Sequence, residues 1–114
     1  MCECIFCRIA NGAIPSNKAY EDETLFAFHD IEPQAPLHIL IVPKLHYDNI
    51  QDASSADSAL ISHMIDVAGK LAKQLGVSDS GFRIVINTGR DGGQSVQHLH
   101  LHLLAGRTFG WPPG

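Results

Sequence analysis

At 114 residues, 45% of them apolar, the chain is long enough to bury a core and is expected to form one domain over residues 1–114. A formal charge of −4 offers no field for a nucleic-acid backbone, although local amides can still hold a small anion. No basic start with an apolar run follows Met1, and no stretch approaches the ~20 apolar residues of a membrane span. The expectation is a cytoplasmic protein with no nucleic-acid or membrane partner.

Cys2, Cys4 and Cys7 crowd into the start of the chain. An odd number of thiols at one end cannot staple a fold, which leaves metal binding or plain thiols. Ile5 to Asn11 can form a short helix stopped by Gly12. Thr24 to His29 has the aromatic content of a strand, and Leu37 to Val42, fenced by Pro36 and Pro43, reads as a second. Leu60, Met64, Val67, Leu71 and Leu75 then recur at helical spacing, with Ile61, Ile65, Ala68 and Ala72 beside them. Ser54-x-x-Asp57 is the expected capping start of this long helix and Gly76 its stop. His63, on the same helix, reads as a surface histidine. Phe82 to Asn87 and His98 to Leu104 are the last two strand-like segments. The loop between them is too short for a crossover helix, so they should pair antiparallel. The class is α+β, with a helix packed on one face of a sheet.

The segment His98-Leu99-His100-Leu101-His102-Leu103 alternates strictly. In a strand this sends the leucines to the core and the three histidines to the opposite face. Polar groups on a half-buried face need partners, so three imidazoles there ask for a use. A solvated face with incidental histidines, a metal site, and phosphoryl chemistry on a neutral imidazole all remain open readings. Gly89-Arg90-Asp91-Gly92-Gly93-Gln94-Ser95 leads directly into the run. A glycine-rich turn exposes backbone N–H groups to an anion, and this favours the phosphoryl reading.

The histidine run resembles the signature of the histidine triad superfamily. The resemblance extends through Cys4-Ile-Phe-Cys-Arg-Ile, Ala27-Phe-His-Asp-Ile, Pro33-Gln-Ala-Pro, His38-Ile-Leu-Ile-Val-Pro-Lys, Asn87, Gly92-Gly-Gln-Ser-Val and Trp111-Pro-Pro-Gly. The last two point to the Hint branch, the nucleoside phosphoramidate hydrolases. The resemblance implies an antiparallel sheet of about five strands with one long and one short N-terminal helix. It also implies a homodimer formed through the long helix and adjoining strand, with the tail approaching the partner's active site.

For the chemistry, the resemblance makes His100 the nucleophile on a purine (adenosine) 5'-monophosphoramidate, with His102, His98 and His38 around it. Ser95 falls where the leaving amine is hydrogen-bonded, and Asn87 where phosphate is contacted. Asp30 matches a ribose-binding carboxylate. Phe6, Ile9, Ile14, Phe28, His29, Ile31 and Leu40 match positions around base and ribose, and Gly93, Gln94 and Val96 complete the nucleotide-binding set. Cys4, Cys7, His46 and His98 match the ligands of one structural zinc found in some bacterial relatives, with no metal needed for the chemistry. A dinucleoside polyphosphate hydrolase, or a non-catalytic nucleotide-binding or scaffolding protein, is the alternative.

Overall fold

The computed structural model describes residues 3–114. Cys2, one of the three thiols counted above, lies outside the described residues. In chain order the elements are α1 (Ile5–Ala10), β1 (Lys18–Glu21), β2 (Leu25–His29), β3 (Leu37–Pro43), α2 (Ile50–Ala56), α3 (Ser58–Gln74), β4 (Phe82–Val85), α4 (Gly89–Gly92) and β5 (Leu101–Ala105). The five strands form one sheet in the order β1-β2-β3-β5-β4, and every neighbouring pair is antiparallel.

Side-chain alternation divides the sheet into two unlike faces. Leu25, Ala27, Ile39, Ile41, Leu101 and Leu103 point to one face, where α3 covers them with Leu60, Met64, Val67, Ala68 and Leu71. Phe26, Phe28, Leu40 and Val42 point to the other and meet Phe6, Ile9 and Ala10 of α1. The central strand β3 is covered on both faces, which is why its sequence is a nearly unbroken apolar run with His38 set into it. The long helix expected from periodicity is α3, and it ends at Gln74, just ahead of Gly76.

Several boundaries differ from the sequence reading. The Ser54-x-x-Asp57 start is not a cap: Ser54 lies inside α2, and Asp57 sits at the α2–α3 junction without a side-chain capping bond. The true cap is Asn49, whose side chain accepts the Asp52 N–H. It starts a separate helix that the fully buried Ala53 ties to the core. β1 has no strong apolar alternation because it is an edge strand with half-buried positions at most. β4 stops at Val85 rather than Asn87, and the glycine-rich turn contains the single helical turn α4, closed by Gly93 in the left-handed region at φ 81°.

The last strand begins at Leu101, not at His98. The Leu99 N–H donates to the Tyr47 carbonyl at 2.7 Å, so this stretch is paired to the loop after β3 instead of the ladder. His63 is more than a surface histidine: its Nε2 bonds the Asp22 carboxylate at 2.7 Å, which Tyr20 Oη also reaches at 2.7 Å. Burial alone would raise the Asp22 pKa. The bonds from Tyr20, Thr24, Leu25 and His63 reverse that and hold it well below the usual carboxylate range. This clasp ties α3 to the β1–β2 turn.

Candidate active site

The histidine-bearing face of β3 and β5 meets α1 in a cleft of ≈ 430 Å³, within the range of small-ligand sites. Phe6, Ile9, Ile14, Phe28 and Leu40 form its apolar wall, while Asp30, His38, Ser95, His100 and His102 bring polar groups into it. A more open cleft of ≈ 530 Å³ lies between Phe82, Arg83 and Arg107 to Phe109, but none of the described residues that line it is a histidine, a carboxylate or a cysteine. Volume alone therefore does not choose the site; the titratable groups do.

Hydrogen bonds decide which ring nitrogen of each histidine carries its proton. His100 Nδ1 lies 2.8 Å from the His98 carbonyl, which can only accept. The proton is therefore on Nδ1, and Nε2 keeps a lone pair. The Gln34 backbone N–H donates to His38 Nδ1 at 3.0 Å, so His38 carries its proton on Nε2. That Nε2–H donates to His102 Nδ1 at 2.9 Å, with Asp30 Oδ2 3.5 Å away. His102 must then hold its own proton on Nε2. The rings of His100 and His102 stand edge to face at 5.0 Å, and Phe6 packs on His100 at the same distance.

The surroundings keep these rings neutral. Burial pushes the pKa of His100 down, against the His98 carbonyl and the Asp30 charge. His38 is likewise lowered by burial, opposed by Asp30. His102 is held down to about 4 by burial, then by repulsion from His100 and His38, with Asp30 again opposing. A neutral, buried imidazole with a defined lone pair is the form suited to nucleophilic attack.

His98 is turned away from the cleft, fully buried, and bonds the Pro43 carbonyl through Nε2 at 2.8 Å. Its Nδ1 lies 3.2 Å from Cys4 Sγ and 3.5 Å from Cys7 Sγ. His46 Nδ1 is 3.6 Å from each sulfur, and its Nε2 is held by Asp48 Oδ1 at 2.8 Å. All four donor atoms lie within 4.8 Å of one another. Tetrahedral zinc with its ordinary bond lengths requires sulfur–nitrogen edges of about 3.6 Å. Three of the four edges match, and the fourth is short by a few tenths of an ångström. Both histidines also have the second-nitrogen partner that orients a metal ligand.

The model of the HIT domain matches residues 11–109. The chain belongs to the HIT domain family. It is 45% identical over 108 residues to the purine nucleoside phosphoramidase of Escherichia coli K12, covering 95% of this chain and 91% of that protein. A HIT family hydrolase from Legionella pneumophila Philadelphia 1 has the same fold with a TM-score of 0.94. It is 49% identical and covers 98% of this chain and 100% of its own. A histidine triad protein from Clostridium difficile aligns with a TM-score of 0.91 and 51% identity, over 94% of this chain and 93% of its own.

In this HIT domain the cleft gathers Phe6, Ile9, Ile14, Phe28, His29, Asp30, Ile31, Leu40, Ser95, Val96, His100 and His102, together with His38. Ile31 stands at the mouth, 94% exposed. Asn87, Gly93 and Gln94 are not in the cleft wall. Gln94 is engaged elsewhere: its side chain accepts the Gly89 N–H and donates to the Asp48 and Val96 carbonyls, clamping the glycine-rich loop to the loop that carries His46. Sequence reasoning missed Ser16, Asn17, Glu32 and Gln34 in the lining. The Pro33-Gln34-Ala35-Pro36 motif was visible, but a backbone N–H aimed at a histidine leaves no mark in residue type.

Proposed function

We propose that the chain hydrolyses the P–N bond of purine nucleoside 5'-monophosphoramidates, adenosine first among them, through a covalent nucleotidyl-histidine intermediate. The observation that carries this reading is the His100 ring. Its Nδ1–H is committed to the His98 carbonyl, and this leaves Nε2 as a lone-pair nucleophile on a ring that lines the cleft. His100 Nε2 forms a bond to the α-phosphorus as the P–N bond breaks, and the departing amine takes a proton from solvent, which the attacking water of the second step returns. Ser95, in the cleft wall, is in the neighbourhood expected for a group that bonds that amine. His102 presents an Nε2–H as a donor to phosphate oxygens, where charge builds in the transition state. Water then displaces His100 from phosphorus, releasing the nucleoside monophosphate. The apolar wall suits a purine, Asp30 suits ribose hydroxyls, and the E. coli relative's name agrees with both.

The fit of Cys4, Cys7, His46 and His98 to a tetrahedron supports one structural zinc per chain. The metal would fix α1 to the histidine segment and supply no chemistry to the reaction. A homodimer belongs to the same reading. β4 is an edge strand, and Phe82, Ile65 and Leu75 remain exposed near or on the α3 side.

The experiment is turnover of a fluorogenic adenosine phosphoramidate by wild type and His100→Ala, with a dinucleoside polyphosphate as competing substrate. The phosphoramidate should be preferred. The variant should lose several orders of magnitude in kcat while still binding AMP. Near wild-type turnover by the variant removes His100 from its role, and preference for the polyphosphate replaces the proposed substrate class.

A further inference from the structure

The loop between β2 and β3 carries the amide that sets the His38 tautomer, yet it has little to hold it. Residues 31–34 are exposed, and Ala35 is the sole buried position before β3. Its internal bonds are local, from Glu32 N–H to Asp30 Oδ1 and from Gln34 Nε2 to the Glu32 carbonyl. Two contacts brace it from the far end of the chain. Arg107 Nε donates to the Gln34 carbonyl at 3.0 Å. Gly106, at φ 96°, lies so close to the Pro36 ring that a Cβ there would sit 2.8 Å from Pro36 Cβ. The Arg107 guanidinium is itself steadied, stacked 4.3 Å over the Phe109 ring and bonded to the Thr108 carbonyl at 3.1 Å.

We propose that Arg107 is a positioning residue for the histidine relay, holding Gln34 so that its N–H stays on His38 Nδ1. The consequence follows from counting protons. With that N–H in place, His38 must donate from Nε2, His102 must accept at Nδ1, and the remaining His102 proton is on Nε2. If Gln34 swings away, the Nδ1–H form of His38 becomes accessible. His38 Nε2 then has only a lone pair, and His102 can satisfy it solely by moving its own proton to Nδ1. The donor on His102 Nε2 is lost without any change in the two rings' positions. A surface arginine thus governs a proton in the cleft through the two peptide groups that flank Gln34 and through two imidazoles.

The inference rests on the reading of His100 and His102 as reacting groups, and two separate readouts keep the two apart. Arg107→Ala should lower kcat roughly ten- to a hundredfold with KM little changed, as misplacement of a supporting group does. Arg107→Lys, which keeps a donor but sets a methylene where Nε stands and Nζ one atom beyond it, should recover part of kcat. Arg83→Ala is the control. Arg83 also stacks on Phe109, at 5.2 Å, and bonds the Gly110 carbonyl, but it does not touch Gln34. It should stay near wild-type kcat. Nitrogen-15 NMR of the histidine rings supplies the second readout. His38 and His102 should be in the Nε2–H form in wild type and in a mixture in Arg107→Ala. Should Arg107→Ala fail to fold, Phe109→Ala, which withdraws the ring beneath the guanidinium, takes both measurements in its place. Unchanged kcat with unchanged tautomers overturns the proposal, as does an equal loss in Arg83→Ala. If the wild type turns over no nucleoside phosphoramidate, the functional reading fails, and the tautomers alone decide the part of Arg107.

Discussion

Each histidine of the site is specialised by the partner of one ring nitrogen. His98 and His100 stand two residues apart in sequence, yet one offers Nδ1 to two sulfurs and the other offers Nε2 to the cleft. The difference comes from which carbonyl each ring meets. Neutrality is shared, and it has a pH signature. The His38, His100 and His102 pKa values are all depressed below the usual 6.5, that of His102 to about 4. The acid limb of kcat/KM should therefore fall below 6.5, since His100 stays unprotonated past that point. Stability follows the same sign. Between 6.5 and about 4 the unfolded chain binds protons that folded His102 refuses, so stability is full above 6.5 and lost as pH falls toward 4. Paired rate and melting profiles across this window check both statements. An acid limb above 6.5 contradicts the first, and a melting temperature that does not fall on acidification contradicts the second.

At the scale of elements, α1 depends on what it packs against. Six residues are too few for a helix to stand alone in water, and α1 is held by Phe6, Ile9 and Ala10 on the sheet and by its cap. That cap is Cys4, whose sulfur accepts the Cys7 N–H at 3.3 Å, so the Cys4-x-x-Cys7 spacing shapes the helix start and the sulfur cluster together. Metal on this cluster would join α1 to the loop after β3 and to the histidine segment. Reduced protein prepared without chelator should carry about one zinc per chain by elemental analysis. Cys4→Ser with Cys7→Ser should lower the melting temperature of that protein, because metal-binding free energy is part of folding free energy. Metal-free protein from zinc-supplemented growth, with the double variant melting as the wild type does, would end the zinc reading.

At the scale of the whole molecule, the sheet ends in two unlike edges. β1 is short and carries Lys18 and Glu21, which pair with each other, while Glu21 also pairs with Lys44. β4 is the other edge, with Phe82 37% exposed, and Ile65 of α3 and Leu75 just past its end stand about half exposed. Charges on an edge strand discourage pairing, and an apolar edge invites it. Two copies meeting at β4 would continue the sheet and cover the apolar positions. Sedimentation at micromolar concentration should therefore give twice the chain mass, and Phe82→Lys with Ile65→Lys should shift the protein toward monomer. A wild type that sediments only as monomer overturns the dimer.

Much of this molecule was legible in residue order, where the signal is periodicity. The alternation at Leu99, Leu101 and Leu103 placed the leucines in the core, and the 3.6-residue recurrence from Leu60 to Leu71 marked α3. Both follow from local geometry, because a strand or helix side must be apolar to be buried. The Cys4-x-x-Cys7 pair and the histidine run marked the residues of the site by chemical type alone. What periodicity could not reach was set by long-range contact. The Leu99 amide bonds the distant Tyr47 carbonyl, and so the strand starts late. Asn49 starts a helix that the stronger-looking Ser54 does not, because Ala53 finds a place in the core. The separation of His98 from His100, and the path from Arg107 through Gln34 to His38, exist only once backbone carbonyls and amides are brought across the fold. Every residue carries those groups, so their pairing is a tertiary fact, and the protons of the histidine site are placed by it.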